Sequence, residues 1–162
     1  MQEGEGLLGQ ERILQVRFRW AAGPYLGRLL NELRETGRLW VARCPGCERI
    51  LMPPRIVCAA CYARVPQFPA GWFPVSGKGT LVDWERILYP QLDPETGELR
   101  PEPFIHGTFM LEEGIVFSHY LGPADLDEAG LRPGLPVEMV VRPREERQGK
   151  LSDIHYFCLV EA

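Results

Sequence analysis

The stretch Arg43-Cys44-Pro45-Gly46-Cys47 … Pro53-Pro54-Arg55-Ile56-Val57-Cys58-Ala59-Ala60-Cys61 decides how this 162-residue chain is read. It holds two C-x-x-C pairs, Cys44/Cys47 and Cys58/Cys61, separated by ten residues. Two residues between thiolates let one tight turn aim both sulfurs at a common point. Two such turns facing each other supply the tetrahedral sulfur set that zinc prefers, and iron accepts the same four thiolates. Two disulfides are the alternative. An acidic chain without an export signal and with an odd fifth cysteine argues against that oxidised framework. Four thiolates leave no open coordination position, so the metal expected at Cys44, Cys47, Cys58 and Cys61 is structural.

The rest of the chain arranges itself around this ribbon. Residues 1–10 read as a tail, and residues 13–20 alternate arginine with apolar side chains, as an extended arm would. Leu26, Leu29, Leu30 and Leu33 recur at helical spacing after Gly23-Pro24, and Gly37 is a natural stop, which predicts a helix over 24–36. A short strand over 38–43 should feed the first cysteine turn. The prolines of 53–54 exclude helix between the turns. Residues 63–75, with Pro66, Pro69 and Pro74 around Trp72 and Phe73, read as an ordered linker.

Five strand candidates follow, at 80–87, 104–111, 115–121, 137–142 and 154–160, with one helical turn possible at 123–129. The Glu112-Glu113-Gly114 run marks a hairpin turn whose glutamates are read as solvated. Pro-, Gly- and Asp-rich connections separate the strands, so the segment suits a small closed barrel such as an OB-fold. Residues 88–103 form a long proline-rich connection between two of them. The expected fold is therefore mainly β, divided as 1–37 (tail, arm and helix), 38–75 (zinc ribbon and linker) and 76–162 (five-stranded barrel).

Charge and motifs limit the function. Residues 1–75 carry ten arginines against six acids, net +4, whereas residues 76–162 are at −8. An acidic barrel is a poor match for a nucleic-acid backbone. No apolar run approaches the ~18 residues of a membrane span, and the acidic start points to the cytoplasm. Gly77-Lys78-Gly79-Thr80 is not a phosphate loop, because the glycine spacing is wrong and a strand follows. Ser118 and His119 are adjacent in a strand and should face opposite ways. His106, His119 and His155 lack a ligand or triad spacing, and Cys158 reads as a small buried hydrophobe. No self-contained active site emerges.

Taken together, the residues resemble a family catalogued as domain of unknown function thirty-five, which joins a rubredoxin-like zinc ribbon to an OB-fold. The resemblance rests on the helix end Leu33-Arg34-Glu35-Thr36-Gly37-Arg38-Leu39 and on the two cysteine turns with Pro53-Pro54-Arg55 between them. Gly77-Lys78-Gly79-Thr80-Leu81-Val82 and Gly134-Leu135-Pro136-Val137-Glu138 extend it over roughly residues 16–160. Glu48 and Tyr62 depart from it, standing where zinc ribbons commonly have glycine, and 88–103 looks like an insertion. The resemblance implies a non-catalytic accessory subunit of an acyl-CoA enzyme. Relatives partner thiolases (one branch a benzoylsuccinyl-CoA thiolase), hydroxymethylglutaryl-CoA synthase, or hydratases acting on steroid side chains. It implies a thiolase-like partner here, a hetero-oligomer, and a CoA ester shared with that partner. Arg55 is the candidate for a CoA phosphate, because guanidinium forks onto phosphate oxygens; pairing with a local carboxylate or capping the hairpin is its alternative. A free-standing acyl-CoA binder and a single-stranded nucleic-acid module are the competing functions.

Overall fold

The computed structural model describes residues 21–92, 99, 103–123 and 125–160. The expected tail and arm, and most of the 88–103 connection, lie outside the described residues. The first element is helix α1 (Gly23–Thr36), with Pro24 in its first turn and no side-chain cap on Ala22. Gly37 ends it in the left-handed conformation, φ 69°, donating its N–H to Leu33 O at 2.9 Å. The buried face is Tyr25, Leu29 and Leu33, with Leu26 and Leu30 only half-buried. The stripe is thus rotated from the one the leucines alone predicted. Tyr25 rotates it, because its hydroxyl donates to the buried Val65 carbonyl at 2.5 Å and its ring stacks on Trp72.

The ribbon is a three-stranded antiparallel sheet, β1 (Trp40–Arg43), β2 (Ile50–Leu51) and β3 (Trp72–Pro74), in the order β2-β1-β3. Here the reading of 63–75 as linker is corrected. Its end is a strand, Trp72 opposite Ala42, Phe73 opposite Val41 and Pro74 opposite Trp40. A proline is tolerated there because β3 is an edge and Pro74 closes it.

The barrel comprises β4 (Lys78–Ile87), β5 (Phe104–Leu111), β6 (Val116–Gly122), β7 (Pro136–Val141) and β8 (Ile154–Leu159). It closes in the order β4-β5-β6-β8-β7, with β7 returning to β4. The β6–β8 pair is parallel and the others antiparallel, the arrangement of an OB-fold. Closure removes the sheet edges that an open five-stranded sheet would expose. Inside, Phe109 and Phe157 stack with centroids 4.2 Å apart, and Gly107 leaves the space that the Phe109 ring occupies. The single helical turn expected near 123–129 is a 3-10 turn at Glu128–Gly130.

One hydrophobic cluster runs without a break from Tyr25, Leu29 and Leu33, through Leu39, Val41, Val65 and Trp72, to Leu81, Phe109, Val137 and Phe157. Ribbon, helix and barrel therefore pack as one body. A second contact fixes the helix to the barrel. Arg147, in the β7–β8 connection, donates from Nη1 to Arg34 O at 3.3 Å and from Nε to Arg142 O at 2.7 Å. Its guanidinium lies over Gly37, where a Cβ would sit 3.0 Å from it. A cation at the carboxyl end of a helix also meets the negative end of the helix dipole. That connection is held by Asp153, 2% exposed, whose carboxylate accepts the N–H groups of Gln148, Gly149 and Lys150 at 2.9, 2.8 and 3.3 Å.

Candidate metal centre and the cleft beside it

Each C-x-x-C turn is closed by backbone bonds. Glu48 N–H donates to Cys44 O (3.0 Å) and Cys44 N–H to Arg49 O (2.9 Å); Tyr62 N–H donates to Cys58 O (2.9 Å) and Cys58 N–H to Ala63 O (3.0 Å). The turns match residue for residue. The residue after each turn takes a left-handed conformation, Glu48 at φ 59° and Tyr62 at φ 61°. That is the conformation for which glycine is usual, so a side chain there stores on the order of 1–2 kcal/mol. Gly46 is required for another reason: a Cβ would lie 2.8 Å from Ala63 Cβ and 3.2 Å from Cys61 Sγ.

The four sulfurs of Cys44, Cys47, Cys58 and Cys61 all lie within 4.8 Å of one another. Cys44 and Cys61 are 3.4 Å apart, and Cys47 and Cys58 are 3.7 Å apart. A zinc at the centre of a tetrahedron with bonds of about 2.3 Å requires sulfurs roughly 3.8 Å apart. These sulfurs are close to that spacing and too far apart for disulfides, so the donor set fits a structural metal. The electrostatics agree. The Ala60 N–H, 3.4 Å from Cys58 Sγ, and then the Cys61 N–H lower Cys58 to about 6. For Cys61 the Ala63 N–H acts downward, but the crowding sulfurs of Cys44 and Cys47 push it up to about 12. The cluster cannot carry four thiolates without a cation among them.

Beside the second turn lies a cleft of about 320 Å³, lined by Arg49 and Arg55, the apolar Ile50, Leu51 and Met52, and the Cys58–Ala60 backbone. Both arginines are exposed, and among the described residues neither guanidinium forms an ion pair or a hydrogen bond. Arg55 therefore neither neutralises a described carboxylate nor caps the hairpin. Arg49, not singled out in the sequence, joins it only because β2 turns back along the approach to Cys58.

The other chemical candidates separate in space. Ser118 Oγ faces out to Thr108 Oγ1 at 3.2 Å, while His119 stacks on Phe117 and accepts the Tyr120 N–H on Nδ1 at 2.8 Å. His106 sits on the outer sheet face, 3.7 Å from the exposed Glu85. His155 is held below its ordinary value by burial and then by the Arg142 charge. Cys158 is half-buried, with its thiol 3.5 Å from Glu138 O. The reading of Glu112 and Glu113 as a solvated turn needs correction at Glu113. One of its oxygens accepts the Ser76 N–H at 2.6 Å and the other is buried, which fastens the β5–β6 turn to the entrance of β4.

Residues 32–67 match the family of the ChsH2 rubredoxin-like zinc ribbon domain. Among solved structures, the chain resembles an Ltp2-ChsH2(DUF35) aldolase, at 18% identity and a TM-score of 0.58, over 80% of this chain and 92% of that one. It also resembles a DUF35 family protein of unknown function from Sulfolobus solfataricus, at 17% identity and a TM-score of 0.49, over 73% and 78% of the two chains. No curated protein sequence matches. At these identities the likeness is one of fold. It supports the zinc ribbon joined to a barrel that the two cysteine turns and five strands predicted.

Proposed function

We propose that this chain is a non-catalytic accessory subunit of an acyl-CoA enzyme, of the thiolase type, that steadies the catalytic subunit and helps bind its CoA ester. Cys44, Cys47, Cys58 and Cys61 hold zinc and leave no position for substrate, so the metal fixes the ribbon and takes no part in a reaction. The observation that carries the proposal is the cleft beside the metal: two arginines over an apolar floor, their guanidinium groups without a partner among the described residues, in a chain whose nucleophiles and histidines are dispersed. Arg55, with Arg49 beside it, faces the phosphates of the CoA ester, and the partner supplies nucleophile and base.

The named relative pairs ChsH2(DUF35) with Ltp2 in an aldolase, which favours a second reading of the partner. Aldolases and thiolases both break a carbon–carbon bond activated by a carbonyl. They differ in that a thiolase consumes free CoA and an aldolase does not. The tagged protein, purified from its native host, should bring down one acyl-CoA enzyme whose turnover is lost when this chain is removed. Dependence of that turnover on added CoA assigns the thiolase type, and independence the aldolase type. Recovery of a monomer without any acyl-CoA enzyme refutes the proposal. Saturable CoA binding by the lone chain at low micromolar concentration would instead mark a free-standing binder. A salt-dependent shift with a single-stranded oligonucleotide would mark the nucleic-acid module.

A further inference from the structure

The residue after each cysteine turn is strained, but only one of the two strained side chains has a partner within the chain. Arg43 donates from Nη1 to Glu48 O at 3.3 Å and lies 4.0 Å from the Glu48 carboxylate. Tyr62 stands at the matching place, 81% exposed, and its ring and hydroxyl have no partner among the described residues. Strain of this kind is kept where a side chain serves a contact beyond its own fold. The surroundings agree. Val65 N–H donates to Ile56 O and Cys58 N–H to Ala63 O, which sets Val57 opposite Arg64 on one side of a short hairpin. Ile56 and Val57 are about half exposed, at 47% and 45%. Residues 49–75 include Arg49, Arg55 and Arg64 and no acid. The tip of the ribbon is therefore apolar and basic, which marks it as an interaction surface.

The complement of that surface lies on the barrel. On the outer face of β4, β5 and β6, Thr80 opposes Met110 and Met110 opposes Val116; beside them Asp83 opposes Thr108 and Thr108 opposes Ser118. The register slips between Leu81 and Asp83, and this bulge turns both Val82 and Asp83 to solvent. Val82, Met110 and Val116 are thus exposed on one face, with Asp83 and Glu85 in the middle of β4 beside them. Lys78 stands apart at the start of the strand, and Arg86 is held in an ion pair with Glu128. This face is apolar and acidic.

We propose that Tyr62 and the hairpin behind it dock on the β4–β5–β6 face of a second copy of the chain. Charge selects the occupant, since a basic apolar tip meets an acidic apolar face and both are present in every copy. The two surfaces are exposed on one packed body, so they meet only between chains. Ile56, Val57, Tyr62 and Arg64 are not among the residues that line the cleft assigned to the CoA ester, and the contact does not depend on the accessory-subunit reading. Two chains related by a two-fold axis make such a contact twice.

The test uses the full zinc-loaded chain alone, in light scattering over a concentration series. Wild type should associate as concentration rises. Arg64→Glu should raise the dissociation constant by ~10-fold or more, because it sets like charges against each other. Asp83→Lys/Glu85→Lys should do the same, and the three substitutions together should restore most of the lost affinity. Tyr62→Gly separates docking from folding: association should weaken by ~10-fold or more, while metal content is kept and the melting temperature of the dilute, monomeric chain rises. A photoreactive phenylalanine analogue at Tyr62 should crosslink to β4, β5 or β6 of a second copy. A wild-type chain that stays monomeric to about 1 mM, a combined variant no better than the single charge reversals, or crosslinks to any other surface overturns the assignment. Capture of an acyl-CoA enzyme by the Tyr62 analogue in the complex from the native host, with no second copy crosslinked, overturns it as well and leaves the accessory reading standing.

Discussion

Replacing Asp153 by alanine should loosen the whole helix-to-barrel joint. The side chain is 2% exposed and accepts three backbone N–H groups between 2.8 and 3.3 Å. Hydrogen bonds to a charged acceptor are each worth ~1.5–3 kcal/mol net, and buried donors left without a partner cost ~1–3 kcal/mol each. The three donors belong to consecutive residues of one turn, so they relax together and their costs do not add in full. A destabilisation of about 3–5 kcal/mol follows for Asp153→Ala. Asp153→Asn retains an acceptor but sets an amide N–H₂ against a donor, and about 2 kcal/mol is expected. For a chain of this length, 1 kcal/mol corresponds to ~2–4 °C in Tm, so the alanine variant should melt roughly 10 °C lower in calorimetry. Hydrogen exchange adds a local signature. The amides of Gln148, Gly149 and Lys150 should lose protection, and so should Gly37, because Arg147 would no longer be held against the helix end. A loss below about 1 kcal/mol, or intact protection at 148–150, would show that the carboxylate does not organise this segment.

Three other outcomes can be measured readily. Cys44→Ala and Cys58→Ala should each abolish the single bound metal and melt the ribbon while barrel strands persist in circular dichroism; finding neither zinc nor iron in the wild-type chain would refute the site. Tyr62→Gly should raise stability by about 0.5–1 kcal/mol in thermal unfolding, since Tyr62 is 81% exposed and its φ of 61° is strained. Glu35→Gln should flatten the acid limb of the stability curve. The hydrogen bonds from Arg34 and then Arg144 hold the Glu35 carboxyl below its ordinary value, so its contribution is full above the ordinary carboxylate value and declines as pH falls from there through the lowered folded-state value. Urea unfolding of wild type and variant at pH 7 and pH 3 should show a larger gap at the first than at the second.

What was legible in the sequence was whatever is decided within a few residues. The C-x-x-C spacing, Pro24 and Gly37 at the helix ends, and the Glu112-Glu113-Gly114 turn all act locally, and each is found where the residues placed it. What escaped depends on distant partners. The strand at Trp72–Pro74 looks like a proline-rich linker until β1 offers it hydrogen bonds thirty residues upstream. Tyr25 carries no periodic signal as a core residue, because its burial depends on the Val65 carbonyl. Arg49 gained its place beside Arg55 only through the path of β2, and Asp153 resembles any surface acid until three N–H groups converge on it. The same limit applied to Glu113, whose partner is the Ser76 N–H 37 residues away.

The grip of Arg147 on the end of α1 spans 113 residues of chain, and this has a consequence for biosynthesis. The helix and both cysteine turns leave the ribosome long before the segment that fastens them to the barrel has been made. At ~5–20 residues per second, the ribbon and the helix packed on it through Tyr25 wait several seconds or more without the barrel. During that interval the metal and the ribbon's own β1–β2 and β1–β3 pairings hold the two turns together. All four metal-binding cysteines are made before the barrel begins, so metal capture can precede barrel closure, and a cell short of zinc should accumulate nascent chains with a loosened ribbon.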